Sequence, residues 1–168
     1  MTPEYFQTFA RYNRWMNLKV YAAAGNLTDE ERKQDRGAFF KTIHATLNHI
    51  LVADRIWLGR FTAAKLEAGS IGPGGIRSLD QELYADFQEL RAAREQMDAQ
   101  ISDWASALTP EQLAAPLRYG RNECSTWSAV AQLFNHQTHH RGQITTLLTQ
   151  AGQDVGATDL SAMLREEH

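Results

Sequence analysis

Apolar side chains recur at helical spacing through most of this chain, in four long runs set apart by clusters of glycine, proline and polar residues. In the first run Thr2-Pro3 supplies an N-cap and a first-turn proline, Phe6, Ala10, Val20 and Ala24 follow on one stripe, and Gly25-Asn26 closes it. Asn13 and Asn17 interrupt that stripe with amides, which need partners once buried and point to a polar cavity. The second run, Phe39 to Phe61, is apolar on two sides. Phe40, Ile43, Leu47, Ile50, Trp57 and Phe61 occupy one, and Ala45, His49, Val52, Ala53 and Ile56 the other. Such a helix packs on both faces.

Residues 67–77 hold Gly69, Gly72, Pro73, Gly74 and Gly75 and read as a loop. Ser78-Leu79-Asp80-Gln81 resembles a capping box, which opens the third helix with the stripe Leu79, Leu83, Leu90, Met97, Ile101, Trp104 and Leu108. Thr109-Pro110 ends it. Residues 110–125 are less regular, with a turn or short hairpin at Leu117 to Asn122. Ser125 or Thr126 caps a fourth helix running to Ala151 with Gly152 behind it, on the stripe Ala129, Leu133, His136, His140, Ile144 and Leu147. A short helix over Asp159 to Glu167 completes the pattern. Four long amphipathic helices and no convincing strand predict an all-α, four-helix bundle in one domain, 1–168, with a short C-terminal helix.

A length of 168 residues and 43% hydrophobic content suit a single core. The net charge of −3 comes with Lys and Arg spread along the chain, which argues against a nucleic-acid partner. The N-terminal residues lack a signal-peptide pattern, and no apolar stretch reaches the roughly 20 residues that span a bilayer. Cys124 is the only cysteine, so no internal disulfide forms. The expected setting is a cytoplasmic protein without a membrane partner.

The chemistry concentrates in Asn135-His136-Gln137-Thr138-His139-His140-Arg141-Gly142-Gln143. His136 and His140 are four residues apart and stack on one helix face, in the middle of an apolar stripe. Two neutral imidazoles buried there without partners would leave polar nitrogens unsatisfied, a penalty that a shared metal removes. No Glu follows His136, which excludes the metalloprotease H-E-x-x-H pattern. His139 points away and reads as solvated or supporting. Gln143, one turn beyond His140, is placed to orient a ligand or touch substrate. A third protein ligand is required. His44 and His49 on the second helix are the candidates, and periodicity does not choose between them. Asp54 reads as half of a salt bridge, Cys124 as a packing residue, and Trp57 and Trp104 as core. Trp127 reads as either core or cavity wall.

The runs His49-Ile50-Leu51-Val52-Ala53-Asp54-Arg55-Ile56-Trp57, His136 to Gln143 and Tyr12-Asn13-Arg14-Trp15-Met16-Asn17, with the tail Thr158-Asp159-Leu160, together resemble the DinB family of DinB/YfiT-like metalloenzymes over nearly the whole chain. The proline often found before that tail is absent. The resemblance implies an up-down-down-up bundle, commonly a homodimer, and the family's name points to damage-inducible expression, which concerns regulation and not chemistry. It also implies a divalent metal on His49, His136 and His140, which sets His44 aside. Zinc or nickel fits three imidazoles first, with iron, copper or manganese as further occupants. Such a centre activates water for hydrolysis or holds a low-molecular-weight thiol as thiolate. The leading expectation is therefore a metal-dependent hydrolase or thiol transferase acting on a small-molecule substrate, with Asn13, Asn17 and Gln143 as candidate substrate contacts. The competing expectation is a non-catalytic stress-response or binding module whose metal is structural or sensory. A metal-free helical dimerisation protein leaves the buried histidine pair unexplained.

Overall fold

The first helix, α1, spans Pro3–Gly25, with Pro3 in its first turn and Thr2 as an extended N-cap residue. The computed structural model describes residues 2–167; Met1 and His168, the two ends of the expected domain, lie outside the described residues. After a short helix α2 at Asp29–Lys33, closed by a Thr28/Glu31 capping box, come α3 at Ile43–Phe61 and α4 at Phe87–Ser106. A one-turn helix α5 at Pro110–Ala114 leads into strands β1, Pro116–Tyr119, and β2, Asn122–Ser125. Helix α6, Thr126–Gln150, and α7, Leu160–Glu166, finish the chain.

The running directions of the long helices follow from which residues touch. Phe6 stacks on Phe134 and Asn13 bonds Arg141, so α1 and α6 are parallel. Tyr21 stacks on Phe87 while Asn17 bonds Asp98, so α1 and α4 are antiparallel. Asp54 pairs with Arg94 and Phe61 stacks on Trp104, so α3 and α4 run together. These pairs make an up-down-down-up bundle in which α1 and α3 each contact both α4 and α6. Phe6, Met16, Ile43, Leu47, Leu51, Leu90, Ile101, Leu133, Ile144 and Leu148 fill the space between them. No helix of the described residues is long and apolar enough to cross a membrane.

Several expected boundaries move, each for a local reason. Helix α3 begins at Ile43 and not at Phe39, because Thr42 caps it by accepting from Ala45 N and Lys41 sits at φ 64°, outside helical space. Helix α4 begins at Phe87 and not at Ser78. Asp86 accepts from the backbone N–H groups of Gln88 and Glu89, while Gln81 spends its side-chain carbonyl on Arg77 N. Leu79 is consequently 54% exposed and belongs to no helical stripe. Thr109 caps α5 and does not end α4, which stops at Ser106. Leu117 to Asn122, expected as a turn or a short hairpin, lie in a hairpin whose two short strands are a minor departure from the strand-free expectation, with Leu117 opposite Cys124 and Gly120 at φ 59° in the turn. Gly152, at φ 75°, follows α6 as the periodicity suggests.

Candidate metal centre

Helix α3 carries His49 toward α6, where His136 and His140 stand one turn apart, and the three rings meet. His49 Nε2 lies 3.1 Å from His136 Nε2 and 3.2 Å from His140 Nε2. The outer nitrogens explain the arrangement. His49 Nδ1 donates to the backbone carbonyl of Leu79 at 2.7 Å, and His140 Nδ1 donates to Gln143 Oε1 at 2.7 Å. With their protons committed outward, both rings present a bare Nε2 lone pair to the centre. Even if His136 donates one proton inward, the 3.2 Å contact between His49 and His140 remains acceptor against acceptor.

A cation relieves that clash. In a tetrahedral shell with metal–nitrogen bonds of 2.0–2.1 Å, neighbouring nitrogens stand about 3.3 Å apart, close to the separations seen here. The residues present therefore fit a divalent ion. Among the described residues no fourth His, Cys, Asp or Glu joins the group, so an ion held by these three would have a coordination position left for water or substrate. Electrostatics agree. Burial, then the neighbouring imidazoles, push His136 down to about 3. Burial also lowers His49 and His140. All three are thus neutral and able to ligate at neutral pH. His136 Nδ1 is buried and has no hydrogen-bond partner among the described residues.

The remaining expected residues distribute themselves around this centre. Gln143 orients His140 from the turn beyond it, the supporting position anticipated from its spacing. His139 is exposed and its Nε2 lies 3.4 Å from Gln143 Nε2, outside the cluster. His44 turns to the Tyr84 carbonyl at 2.9 Å and to Glu82 at 3.3 Å, away from the trio. Trp57 and Trp104 pack partly buried against the core, Trp127 is 43% exposed, and Cys124 is a free thiol on β2.

Asn13 and Asn17 are not brought to the histidines. Both donate to Asp98, at 3.0 and 2.9 Å, inside a buried polar layer. Arg94 joins Asp98 at 3.0 Å and also pairs with Asp54, while Arg141 donates to the Asn13 carbonyl. Asp54, Arg94, Asp98 and Arg141 are all at least 97% buried and their formal charges cancel. Asp54 thus holds the salt bridge expected of it, though burial still pushes its carboxyl above the usual range. Burial lowers Arg141 to about 10, leaving it charged at neutral pH.

Sequence reasoning missed two supports of the centre. The Leu79 carbonyl carries no side-chain signature. Phe40, assigned to a helix stripe, instead lays its ring on His49 with centroids 3.9 Å apart and planes at 22°.

Comparison with known proteins identifies the family and the fold. The model of the DinB family matches residues 1–167. "Protein DinB" of Bacillus subtilis (strain 168) is 25% identical over 160 residues, covering 91% of this chain and 90% of that protein. A crystal structure of a DinB-like protein from Bacillus cereus superposes with a TM-score of 0.66 at 22% identity, over 89% of this chain and 94% of the other. At that identity the likeness speaks for the fold.

Proposed function

The chain belongs to the DinB family, and from that premise we propose that it binds a divalent metal through His49, His136 and His140 and acts as a metal-dependent hydrolase or thiol transferase on a small molecule. The observation that carries this reading is the convergence of the Nε2 atoms of His49 and His140 at 3.2 Å while both outer nitrogens are engaged elsewhere. The ion, when bound, supplies Lewis acidity toward a substrate carbonyl, phosphoryl or thiol group. The chain's own residues do the rest. Leu79 and Gln143 fix the tautomers of His49 and His140 and hold their rings in register. Phe40 covers the face of His49 and excludes water from that side. The side without a fourth ligand favours catalysis over a purely structural ion.

Zinc or nickel suits the donor set first, with iron, copper or manganese next. The same reading takes the protein as cytoplasmic with neither nucleic acid nor membrane as partner, supported by its lone cysteine and its net charge of −3, and as a homodimer, which rests on the family resemblance. Elemental analysis of protein prepared without an affinity tag tests the ligand set. One ion per chain, lost in His136→Ala/His140→Ala, is expected; binding undiminished in that variant overturns the assignment. Metal-loaded protein is then screened against glutathione, mycothiol, bacillithiol and a panel of ester and amide substrates. A loaded protein silent throughout would instead be a sensory or structural metal module.

A further inference from the structure

The metal centre is walled by a turn that chemistry alone would not place there. Residues Ala38 to Lys41 form a tight turn closed by Lys41 N to Ala38 O at 2.8 Å, with Phe39 and Phe40 as its two central residues. Such positions favour Gly, Pro, Asn, Asp or Ser, and two consecutive phenylalanines gain nothing from the turn itself. Its geometry is nonetheless firmly held. Arg36 N donates to the Lys41 carbonyl at 2.8 Å, Lys41 accepts φ 64°, and Thr42 immediately begins capping α3. A non-glycine residue in left-handed space persists when its surroundings over-determine it, and such positions gather at ligand sites.

The two rings are arranged in series on the metal ligands. Phe40 stacks on His49 and stands edge-on to His140, with centroids 5.6 Å apart. Phe39 stands edge-on to Phe40 at 4.9 Å and is 82% exposed, the most exposed large apolar side chain among the described residues. Leu79, whose carbonyl anchors His49, is itself 54% exposed. Single exposed hydrophobes need no explanation. An aromatic face that begins on two of the three imidazoles and continues through Phe40 to Phe39 in solvent is different, because it sets an exposed apolar surface directly beside the histidine cluster.

We propose that the Phe39–Phe40 turn is the subsite for an aromatic or branched aliphatic group of a ligand whose polar head is held at the three-histidine centre. This selects the apolar portion of the substrate, which the imidazoles alone do not specify. It rests on the metal-binding reading above.

The test uses the full chain loaded with cobalt(II), whose visible spectrum reports ligand entry. Two hydroxamates with the same chelating head are titrated, benzohydroxamate and acetohydroxamate. In Phe39→Ala the ratio of their affinities falls about five- to tenfold toward parity, the size expected for losing one edge-to-face aromatic contact and its buried area. Phe39→Leu retains most of it, and cobalt affinity is unchanged in both variants. Because Phe39 is so exposed, its replacement leaves the folded core intact. A ratio unaltered by Phe39→Ala overturns the subsite while leaving the metal centre standing. A wild-type dimer that Phe39→Ala converts to monomer also overturns it, by assigning the ring to a second copy of the chain. Failure of the wild type to take up cobalt overturns the centre, and the subsite with it.

Discussion

Two polar clusters lie inside the same bundle, built partly on the same helices, and they are opposites. The layer of Asp54, Arg94, Asp98, Arg141, Asn13 and Asn17 sets positive against negative charge and amides against Asp98 and Arg141, with Asp54 Oδ1 and Arg94 Nε left without a hydrogen-bond partner among the described residues. The trio of His49, His136 and His140 turns its Nε2 atoms toward one another, with those of His49 and His140 meeting acceptor against acceptor. His140 and Arg141 are adjacent in sequence, yet each side chain enters a different cluster. A self-complementary cluster needs no ligand and serves the fold. A cluster of like groups held in place from behind is complete only with something the chain does not contain.

The largest effect should come from breaking the closed layer. Arg94→Ala leaves Asp54 and Asp98 buried without their shared counter-charge, and removing one partner of a buried ion pair costs about 3–5 kcal/mol. For a chain of this size that lowers Tm by roughly 10 °C. Urea and thermal unfolding of the metal-free protein measure it. A loss below about 1 kcal/mol would show that the layer is not a closed unit.

The open cluster should respond in the reverse sense. His136→Ala removes one of three mutually facing nitrogens, so the metal-free protein loses far less stability than Arg94→Ala causes. Metal affinity, however, falls more than about 100-fold, beyond the range for supporting residues. Competition against a chromophoric chelator reads the affinity. A variant destabilised like Arg94→Ala but binding metal normally would erase the contrast between the clusters.

Gln143 sharpens the comparison at intermediate size. Gln143→Ala frees His140 Nδ1 from the acceptor that fixes its tautomer, and affinity should drop about 10- to 100-fold with little change in unfolding free energy. Gln143→Glu restores an acceptor and should recover the binding. If alanine and glutamate behave alike, Gln143 does not orient the ring.

The two clusters also differ in how legible they were. The stacked pair at His136 and His140 follows from a four-residue interval, and the bundle from apolar periodicity. The third ligand was not readable from periodicity, because α3 is buried on both faces and offers His44 and His49 equally; resemblance to the family selected His49. The supports were hidden for a different reason. A backbone carbonyl such as that of Leu79 acts through its position alone, and Leu79 imitated the start of a helical stripe that in fact begins beyond Asp86. Asn13 and Asn17 were visible as polar interruptions of an apolar stripe, but their partners on α4 and α6 lie about 80 to 130 residues away in the chain, out of reach of any local pattern.

The smallest expected effect concerns protons. In the unfolded chain the three imidazoles titrate near 6.5. In the folded protein all three are pushed lower, His136 to about 3, chiefly because burial disfavours their charged forms. Between those values the unfolded state binds protons that the folded state refuses, so folding stability falls as pH falls. The contribution is intact above pH 6.5 and erodes below it. The rings are only partly enclosed, so solvent screens the effect, and the loss between pH 7 and 5.5 should be about 1 kcal/mol or less. Unfolding free energies of chelator-treated protein across that range test the slope, and His136→Asn should flatten it. Asp54 of the closed layer, raised and not lowered by burial, supplies no such acid-side loss. A slope that survives in His136→Asn but vanishes in a variant of that layer would mean that the protons are taken up there instead, and that the imidazoles are not the groups held away from charge.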